Sequence, residues 1–244
     1  MDPAAAVAIW GLVFARTAGV TLLVPPAGHR EVPLSLRVGA AAVVAVALVY
    51  VVDAPGTGSI PVAQYAAWAL GNLAVGLVIG AAVAAVVYGA LMAGAYMDNV
   101  TGWSAQPIYQ RPAGRVFYLL AAGLFLLIDG HHAVVRTLAE SFGVFPASAS
   151  DISHLAQEAV LLWPAEMFLS SLLIAAPALL AVLLARAMLA SVERLFEELR
   201  QSGLSAAGGS LLALAVLALT LPAVSWGAIA CLRRAMEKLG ALLG

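Results

Sequence analysis

The sequence predicts an all-α integral membrane protein with about six long apolar helices, some of them paired as kinked hairpins. Of its 244 residues, 63% are hydrophobic and only 10% are charged. Soluble proteins contain roughly 45–50% apolar and about 25% charged residues, so the chain departs from them in both respects. Its apolar runs also reach the roughly 20 residues that a helix needs to cross a bilayer. No polar linker divides the chain, and we expect one domain over residues 1–244.

The first three apolar runs are separated by residues that favour turns. Pro25 and Pro26 end the first run, because proline lacks the amide hydrogen that a continuing helix needs. The second run ends at Asp53, where glycine and proline follow. The third run is longer than one crossing requires, so we expect it to be kinked, tilted or divided into two helices. These runs cover residues 4–24, 33–52 and 61–97.

Three more apolar runs follow a polar loop over residues 98–114. Pro164 and Pro177 lie within the fifth run, which is therefore expected to be kinked or to begin late. After the sixth run, charged and apolar residues alternate at helical spacing, which predicts an amphipathic C-terminal helix at the membrane interface. These runs cover residues 115–140, 160–190 and 204–224, and the amphipathic tail covers residues 229–243.

The basic residues test whether every run crosses the membrane. If each did, the loops after the first, third and fifth runs would face the cytoplasm, because they contain most of the loop arginines. The tail after the sixth run would then lie on the opposite side, although it carries Arg233, Arg234 and Lys238. Either one run does not cross, or the protein lacks a conventional multispan topology.

Glycines recur along the third run, at Gly71, Gly76 and Gly80. Gly76 and Gly80 form a G-x-x-x-G pair, which lets another helix approach closely. We therefore expect these three glycines to pack against a partner helix. Glycine is also simply tolerated in apolar membrane helices, and the sequence leaves that interpretation open.

The fourth run contains four ionisable residues on one helix face, and we expect them to form a buried polar seam. A charge at the centre of a bilayer costs at least about 2.5–3.5 kcal/mol, so such side chains usually face protein or water. A proton relay or a metal site would use this face, but His29 and His154 are too distant in the sequence to complete an evident ligand set. A paired seam against a neighbouring helix, or a helix end above the membrane, is the simpler interpretation. The seam residues are Asp129, His132, Arg136 and Glu140.

Motifs for enzymatic chemistry are sparse. The segment 102–105, Gly-Trp-Ser-Ala, is faintly similar to the nucleophile segment of intramembrane serine proteases, but no histidine lies in a helix of matching pattern. The sequence contains no phosphate-binding loop, no H-E-x-x-H and no C-x-x-C. The net charge is −1 and the basic residues are scattered, which disfavours nucleic-acid binding. We expect no catalysis, no cofactor and no bound metal.

Four segments carry ordered motifs over nearly the whole chain. The first follows the pattern R-x-x-G…P-x-x-G-x-R-x-V-P…R-x-G and contains Arg16, Arg30, Pro33 and Arg37. The second passes from Gly76 and Gly80 into A-G-x-x-x-D at residues 93–98. The third reads L-F-L-x-x-D-G-H-H at residues 124–132, followed by Ser141, Phe142 and Pro146, and the fourth begins at Pro177. Together they resemble the FliR family of flagellar export-gate proteins and its injectisome counterparts.

Two segments depart from the pattern of that family. Residues 193–201 read ERLFEELRQ, where the family has R-x-x-P-Q-x-N-x-F. The start of the central loop, residues 98–102, reads DNVTG, where the family has a glycine-rich stretch of small residues. Roles carried over to these two segments therefore have weaker support than roles carried over to the other motifs.

The resemblance implies a structural subunit of a type III protein export gate in the bacterial inner membrane. It implies assembly with FliP-like and FliQ-like subunits, an FlhB-like subunit around them, and unfolded protein substrates passing through a central pore. It also implies that much of the gate lies above the membrane plane, and that the central loop lines and plugs the closed pore. The corresponding loop residues are Asp98, Asn99, Gly102, Gln106, Pro107 and Gly114.

Two choices remain open on the sequence. The third motif favours a flagellar system, whereas the start of the central loop is closer to injectisome members. A secondary transporter or channel acting alone is the alternative from another functional class, and the ionisable residues of the fourth run are its support.

Overall fold

The regular elements in this computed structural model are all α-helices, which confirms the all-α prediction for the part of the chain that it describes. The described residues are 3–25, 32–50, 52, 61–101, 112–148, 153–195 and 204–243. The helices are α1 Pro3–Leu23, α2 Leu34–Leu48, α3 Val62–Thr101, α4 Pro112–Leu127, α5 Gly130–Val144, α6 Ser153–Leu195 and α7 Leu204–Leu243.

The prediction of about six long apolar helices is not confirmed. Among the described residues, three helices are long and apolar enough to cross a membrane, with stretches at Ala6–Leu23, Val62–Asn99 and Ala165–Val192. The count rises to four if the bent pair of α4 and α5 forms one span. The second run gives only the 15-residue helix α2, which is about 22 Å long at 1.5 Å per residue and shorter than the hydrocarbon core of about 30 Å.

Helix α3 is continuous over 40 residues, so the third run is one helix rather than two. At 1.5 Å per residue it is about 60 Å long, which is roughly twice the thickness of the hydrocarbon core. The helix also extends past the predicted start of the central loop. Asp98 and Asn99 lie in α3 and Gly114 lies in α4, so these three residues are helical, while Gly102, Gln106 and Pro107 lie outside the described residues.

The fourth run is broken between α4 and α5, whose axes differ by 66°. Asp129 occupies the break with φ 57° and ψ 30°, in the left-handed region. An aspartate adopts this conformation more readily than most residues, because its short polar side chain bonds locally. The amide of Asp129 donates to the carbonyl of Leu126 at 3.1 Å, and its own carbonyl accepts from His132 at 3.0 Å.

The sixth run and the predicted C-terminal helix form one continuous helix, α7, which contains Pro222. A separate C-terminal helix was therefore the wrong expectation. The amphipathic pattern is present, because Cys231 and Leu232 are buried and the neighbouring charged side chains are exposed. The exposed charged residues of this segment are Arg233, Arg234, Glu237 and Lys238.

The chain divides into two compact units. The first consists of Met1–Ala85, Leu126–Glu166 and Leu232–Gly244, and the second of Val86–Phe125 and Met167–Cys231. The prediction of a single domain stays a prediction. In the first unit, the hydroxyl of Thr17 on α1 donates to the carbonyl of Ala41 on α2 at 3.1 Å, while the rings of Tyr88 and Tyr118 pack 6.1 Å apart in the second.

Candidate functional site

The first unit is organised around a close approach of α1 to α3. A Cβ atom at Gly76 would overlap the carbonyl oxygen of Arg16, and one at Gly80 would lie 2.9 Å from the carbonyl oxygen of Val20. The approach is reciprocal, because a Cβ atom at Gly19 would lie 2.5 Å from the carbonyl oxygen of Leu73. Only glycine permits this separation of two helix backbones.

The glycine face of α3 therefore contacts a helix of the same chain. The partner helix expected for Gly76 and Gly80 is therefore α1 of the same chain. G-x-x-x-G spacing identifies a surface of close approach, but it carries no information on which helix fills it. Gly71, the third glycine of that prediction, is buried.

The same approach places the side chain of Arg16 in the interior, where it is 1% exposed. Its Nε donates to Oδ1 of Asn72 at 3.0 Å, Nη1 to Oγ of Ser141 at 3.0 Å, and Nη2 to the carbonyl of Phe145 at 2.7 Å. The guanidinium also lies over the ring of Phe142, 3.9 Å from its centroid. One side chain thus joins α1, α3 and the C-terminal end of α5.

The acceptors around Arg16 are held by further hydrogen bonds. The amide nitrogen of Asn72 donates to the carbonyls of Trp68 at 2.7 Å and Ala147 at 2.8 Å, which fixes its oxygen towards Arg16. The hydroxyl of Ser141 donates to the carbonyl of Leu138 at 2.6 Å. A buried cation is tolerated when its donors are satisfied, and each hydrogen bond to a charged group contributes about 1.5–3 kcal/mol.

In the second unit, Asp98 holds the N-terminus of α4. Its Oδ1 accepts from the amide of Ala113 at 3.2 Å, and its Oδ2 from the amide of Gly114 at 3.1 Å. Pro112 is the first residue of α4, and its missing amide hydrogen would have had no partner within the helix. Asp98 therefore acts as an N-cap from another helix, and its negative charge is favoured at that end of α4.

Gly94 lies one turn before Asp98 and makes this cap possible. A Cβ atom there would overlap the carbonyl oxygen of Ala113 and lie 2.5 Å from the Cα of Gly114. The C-terminal end of α3 is thus in contact with the N-terminal end of α4, and residues 102–111 connect these two ends. The carboxylate of Asp98 is fully buried at this junction, with 0% exposure.

The seam residues are exposed in the chain, which corrects the expectation of a buried seam. The side chains of Asp129 and His132 are 77% and 76% exposed, and Arg136 and Glu140 are also largely exposed. The spacing did predict the contacts: His132 Nδ1 lies 3.4 Å from Asp129 Oδ1, and Arg136 Nε lies 2.8 Å from Glu140 Oε1. A different face of α5, which includes Val134, Leu138 and Ser141, is the buried one.

The remaining residues of the family motifs have different surroundings. Pro33 is the N-cap residue of α2, and Arg37 Nε donates to the carbonyl of Val32 at 3.2 Å, just before that helix. Pro177 lies inside the continuous helix α6 and is half-buried. Arg30 lies outside the described residues.

Sequence reasoning missed Asn72, the carbonyl of Phe145 and the participation of His131. An amide side chain in a long apolar helix is itself a sign of a polar contact, so Asn72 was detectable. The carbonyl of Phe145 is not visible in any sequence pattern. His131 joins Asp129 and His132 in a group whose ligand atoms all lie within 4.8 Å of one another.

A comparison of the sequence with protein families identifies the family of the chain. Residues 7–234 match the family model described as bacterial export proteins, family 1. A search of curated proteins found no match to the chain. The family match includes both the Arg16 network and the junction of α3 with α4. Because it extends over nearly the whole sequence, the chain belongs to the bacterial export proteins of family 1, the FliR-like components of the type III export apparatus.

Proposed function

We propose that this chain is a structural subunit of the type III export gate, and that its segment from Asp98 to Gly114 helps to seal the resting pore. In this proposal the chain assembles with FliP-like, FliQ-like and FlhB-like subunits in the bacterial inner membrane. Unfolded protein substrates cross through the assembled pore, and the chain itself performs no catalysis.

The cap formed by Asp98 is the observation that carries the proposal. A segment that seals a pore has to return to one position after each opening, so its two ends need a fixed base. The buried carboxylate supplies such a base, because it bonds two consecutive amides of α4 from the last turns of α3.

Exposed apolar surface supports assembly with other subunits. Leucine side chains of α6 remain half or more exposed in the single chain, including Leu180, Leu183 and Leu184. Helix α3 is also about twice as long as the hydrocarbon core is thick. At least one end of α3 therefore extends beyond that core unless the helix is strongly tilted. Both features fit a subunit whose apolar surface is covered partly by sister subunits.

Deleting residues 104–109 tests the sealing role. We expect the assembled gate to leak ions and small molecules, because the shortened segment no longer fills the pore. Permeability of cells to a small dye measures the effect, and co-purification with the partner subunits shows that the gate has assembled. The matched control deletes six residues, 54–59, between α2 and α3. An assembled gate with the first deletion and unchanged permeability would contradict the proposal.

Asp98→Asn tests the base of the segment with a smaller change. The amide keeps one acceptor oxygen but directs a donor at a second backbone amide, so the cap loses one hydrogen bond and its charge. We expect a smaller leak than the deletion gives. Asp98→Glu keeps the charge and serves as the control, although its longer side chain has to adjust.

The choice of system is also part of the proposal. We favour a flagellar gate, because residues 129–132 carry the Asp-Gly-His-His motif, and an injectisome subunit of the same family is the alternative. Complementation decides between them: a flagellar subunit restores swimming to a strain that lacks its own FliR-like protein. The ionisable seam that supported a solitary transporter is exposed at a helix break, so it no longer favours that alternative.

A further inference from the structure

The turn between α4 and α5 brings three ligating side chains together. The left-handed backbone of Asp129 lies at the 66° bend, just before the first turn of α5. His132 Nδ1 lies 3.4 Å from Asp129 Oδ1, and the rings of His131 and His132 are 4.1 Å apart between centroids. Neighbouring residues of a regular helix point about 100° apart, so two adjacent histidines rarely converge in this way.

These three side chains offer two imidazole nitrogens and one carboxylate oxygen, all within 4.8 Å of one another. Bonds of about 2.0–2.1 Å to a tetrahedral zinc ion would place its ligand atoms about 3.3 Å apart. The groups therefore have to close by at most about 1.5 Å, which side-chain rotation supplies, because all three residues are exposed.

The ligand types select the class of ion. Imidazole with one carboxylate suits zinc, cobalt or nickel, whereas magnesium and calcium prefer oxygen ligands alone. Three protein ligands on one side of an ion leave at least one position for water. The arrangement is therefore that of an open site rather than a closed structural one.

The charges around the turn both favour and oppose a cation. Asp129 and Glu237 line one cavity of about 510 Å³, so two carboxylates contribute negative charge there. Arg233 lines the same cavity, and the positive end of the α5 dipole lies at the turn. Imidazole nitrogens at this turn favour a transition-metal ion over an alkaline-earth ion in the same local charge.

We propose that Asp129, His131 and His132 bind one divalent transition-metal ion, with zinc as the ion of choice. The ion joins the residue at the helix break to the first turn of α5. The site is separate from the Asp98 cap and from the Arg16 network, and its occupancy does not depend on the role of the chain in export.

Metal titration of the whole chain in detergent tests this site. The protein carries no histidine tag, is stripped with a chelator, and is titrated with Zn²⁺ by calorimetry and with Co²⁺ by visible absorption. We expect one ion per chain. His131→Asn, His132→Asn and Asp129→Asn are each expected to lower the affinity at least about tenfold, since even the loss of outer partners costs about 10–100-fold. Asparagine at position 129 also keeps the left-handed backbone accessible.

His154→Asn is the matched control, because it removes one imidazole that is distant in the sequence from the proposed site. This variant should bind Zn²⁺ with the same affinity as the original chain. Absence of saturable binding at one equivalent would overturn the proposal. The proposal would also be overturned if the double variant His131→Asn with His132→Asn bound Zn²⁺ like the original chain. It would equally be overturned if His154→Asn lost as much affinity for Zn²⁺ as the single variants at the site. Competition by equimolar Mg²⁺ would overturn the assigned class of ion. Helix content measured by circular dichroism separates loss of ligands from loss of fold.

Discussion

Helices α3 and α6 carry the two longest apolar stretches, and the most apolar 18-residue segments of the two are almost equal, with mean hydropathies of 2.3 and 2.4. Their environments differ: 72% of that 18-residue segment of α3 is buried within the chain, compared with 33% of the corresponding segment of α6. Hydropathy therefore predicts that a helix avoids water but not what replaces the water. Lipid, a sister subunit and the same chain all satisfy an apolar helix equally well.

Small residues distinguish the two helices. Close backbone contacts of α3 occur at Gly76, Gly80 and Gly94, where a Cβ atom would lie 2.9 Å or less from a neighbouring backbone. The exposed face of α6 consists instead of large side chains such as Leu180 and Leu184. Glycine spacing thus marks the helix that packs closely, and exposed leucines mark the helix left for lipid or partners.

The largest expected effect comes from filling the close approach of α3. Gly76→Leu places a side chain where the backbone of α1 lies, and overpacking of this kind costs about 3 kcal/mol. Unfolding of the purified chain in mixed detergent micelles measures the loss. Gly123→Leu on α4 is the control, because a Cβ atom there has no neighbour within 4 Å. Equal stability of the two variants would remove the distinction between packed and open glycines.

The next effect concerns the buried hydrogen bond between Arg16 and Asn72 of α3. Arg16→Met keeps most of the volume but leaves the Asn72 oxygen and the Phe145 carbonyl without their donor. We expect a loss of about 2 kcal/mol in the free energy of unfolding, since an unsatisfied buried acceptor costs about 1–3 kcal/mol. Arg16→Lys should recover little, because one ammonium does not reproduce the planar fork. Full recovery with lysine would show that charge alone matters.

A matched pair of apolar substitutions tests the burial difference directly. Ile79 on α3 is fully buried, whereas Leu184 on α6 is 55% exposed. Ile79→Ala should destabilise the isolated chain by about 1–2 kcal/mol, because the cavity term remains even though lipid weakens the transfer term. Leu184→Ala should change stability by less than about 0.5 kcal/mol. It should instead weaken co-purification with partner subunits, and equal losses of stability would contradict the comparison.

The smallest effect is expected for an exposed ion pair. Lys238 Nζ contacts Glu166 Oε1, and the side chain of Lys238 is 55% exposed. Lys238→Ala should cost about 0.5 kcal/mol or less, because water and salt screen such pairs. Repeating the measurement in high salt should abolish even this difference. A loss comparable to that of Arg16→Met would mean that burial is not what separates the two polar contacts.

Parts of the site were readable from sequence and parts were not. The spacing of Asp129, His132, Arg136 and Glu140 predicted their pairwise contacts, because residues three and four apart are neighbours on any helix. It did not predict their exposure, since that depends on which face of α5 packs against the rest of the chain. Capping of α4 was equally invisible, because its N-cap side chain comes from another helix.

The sequence by itself determined that the protein is helical, apolar enough for a membrane, and similar throughout to one family of export proteins. These properties follow from composition, local spacing and ordered motifs. Each of them can be read from neighbouring residues or from the chain as a whole, without knowledge of which helices are in contact. Only the tertiary structure decided that Arg16 meets Asn72 and Ser141, and that Asp98 meets Ala113 and Gly114. Such contacts depend on how closely separate helices approach, and that distance is determined by packing in three dimensions.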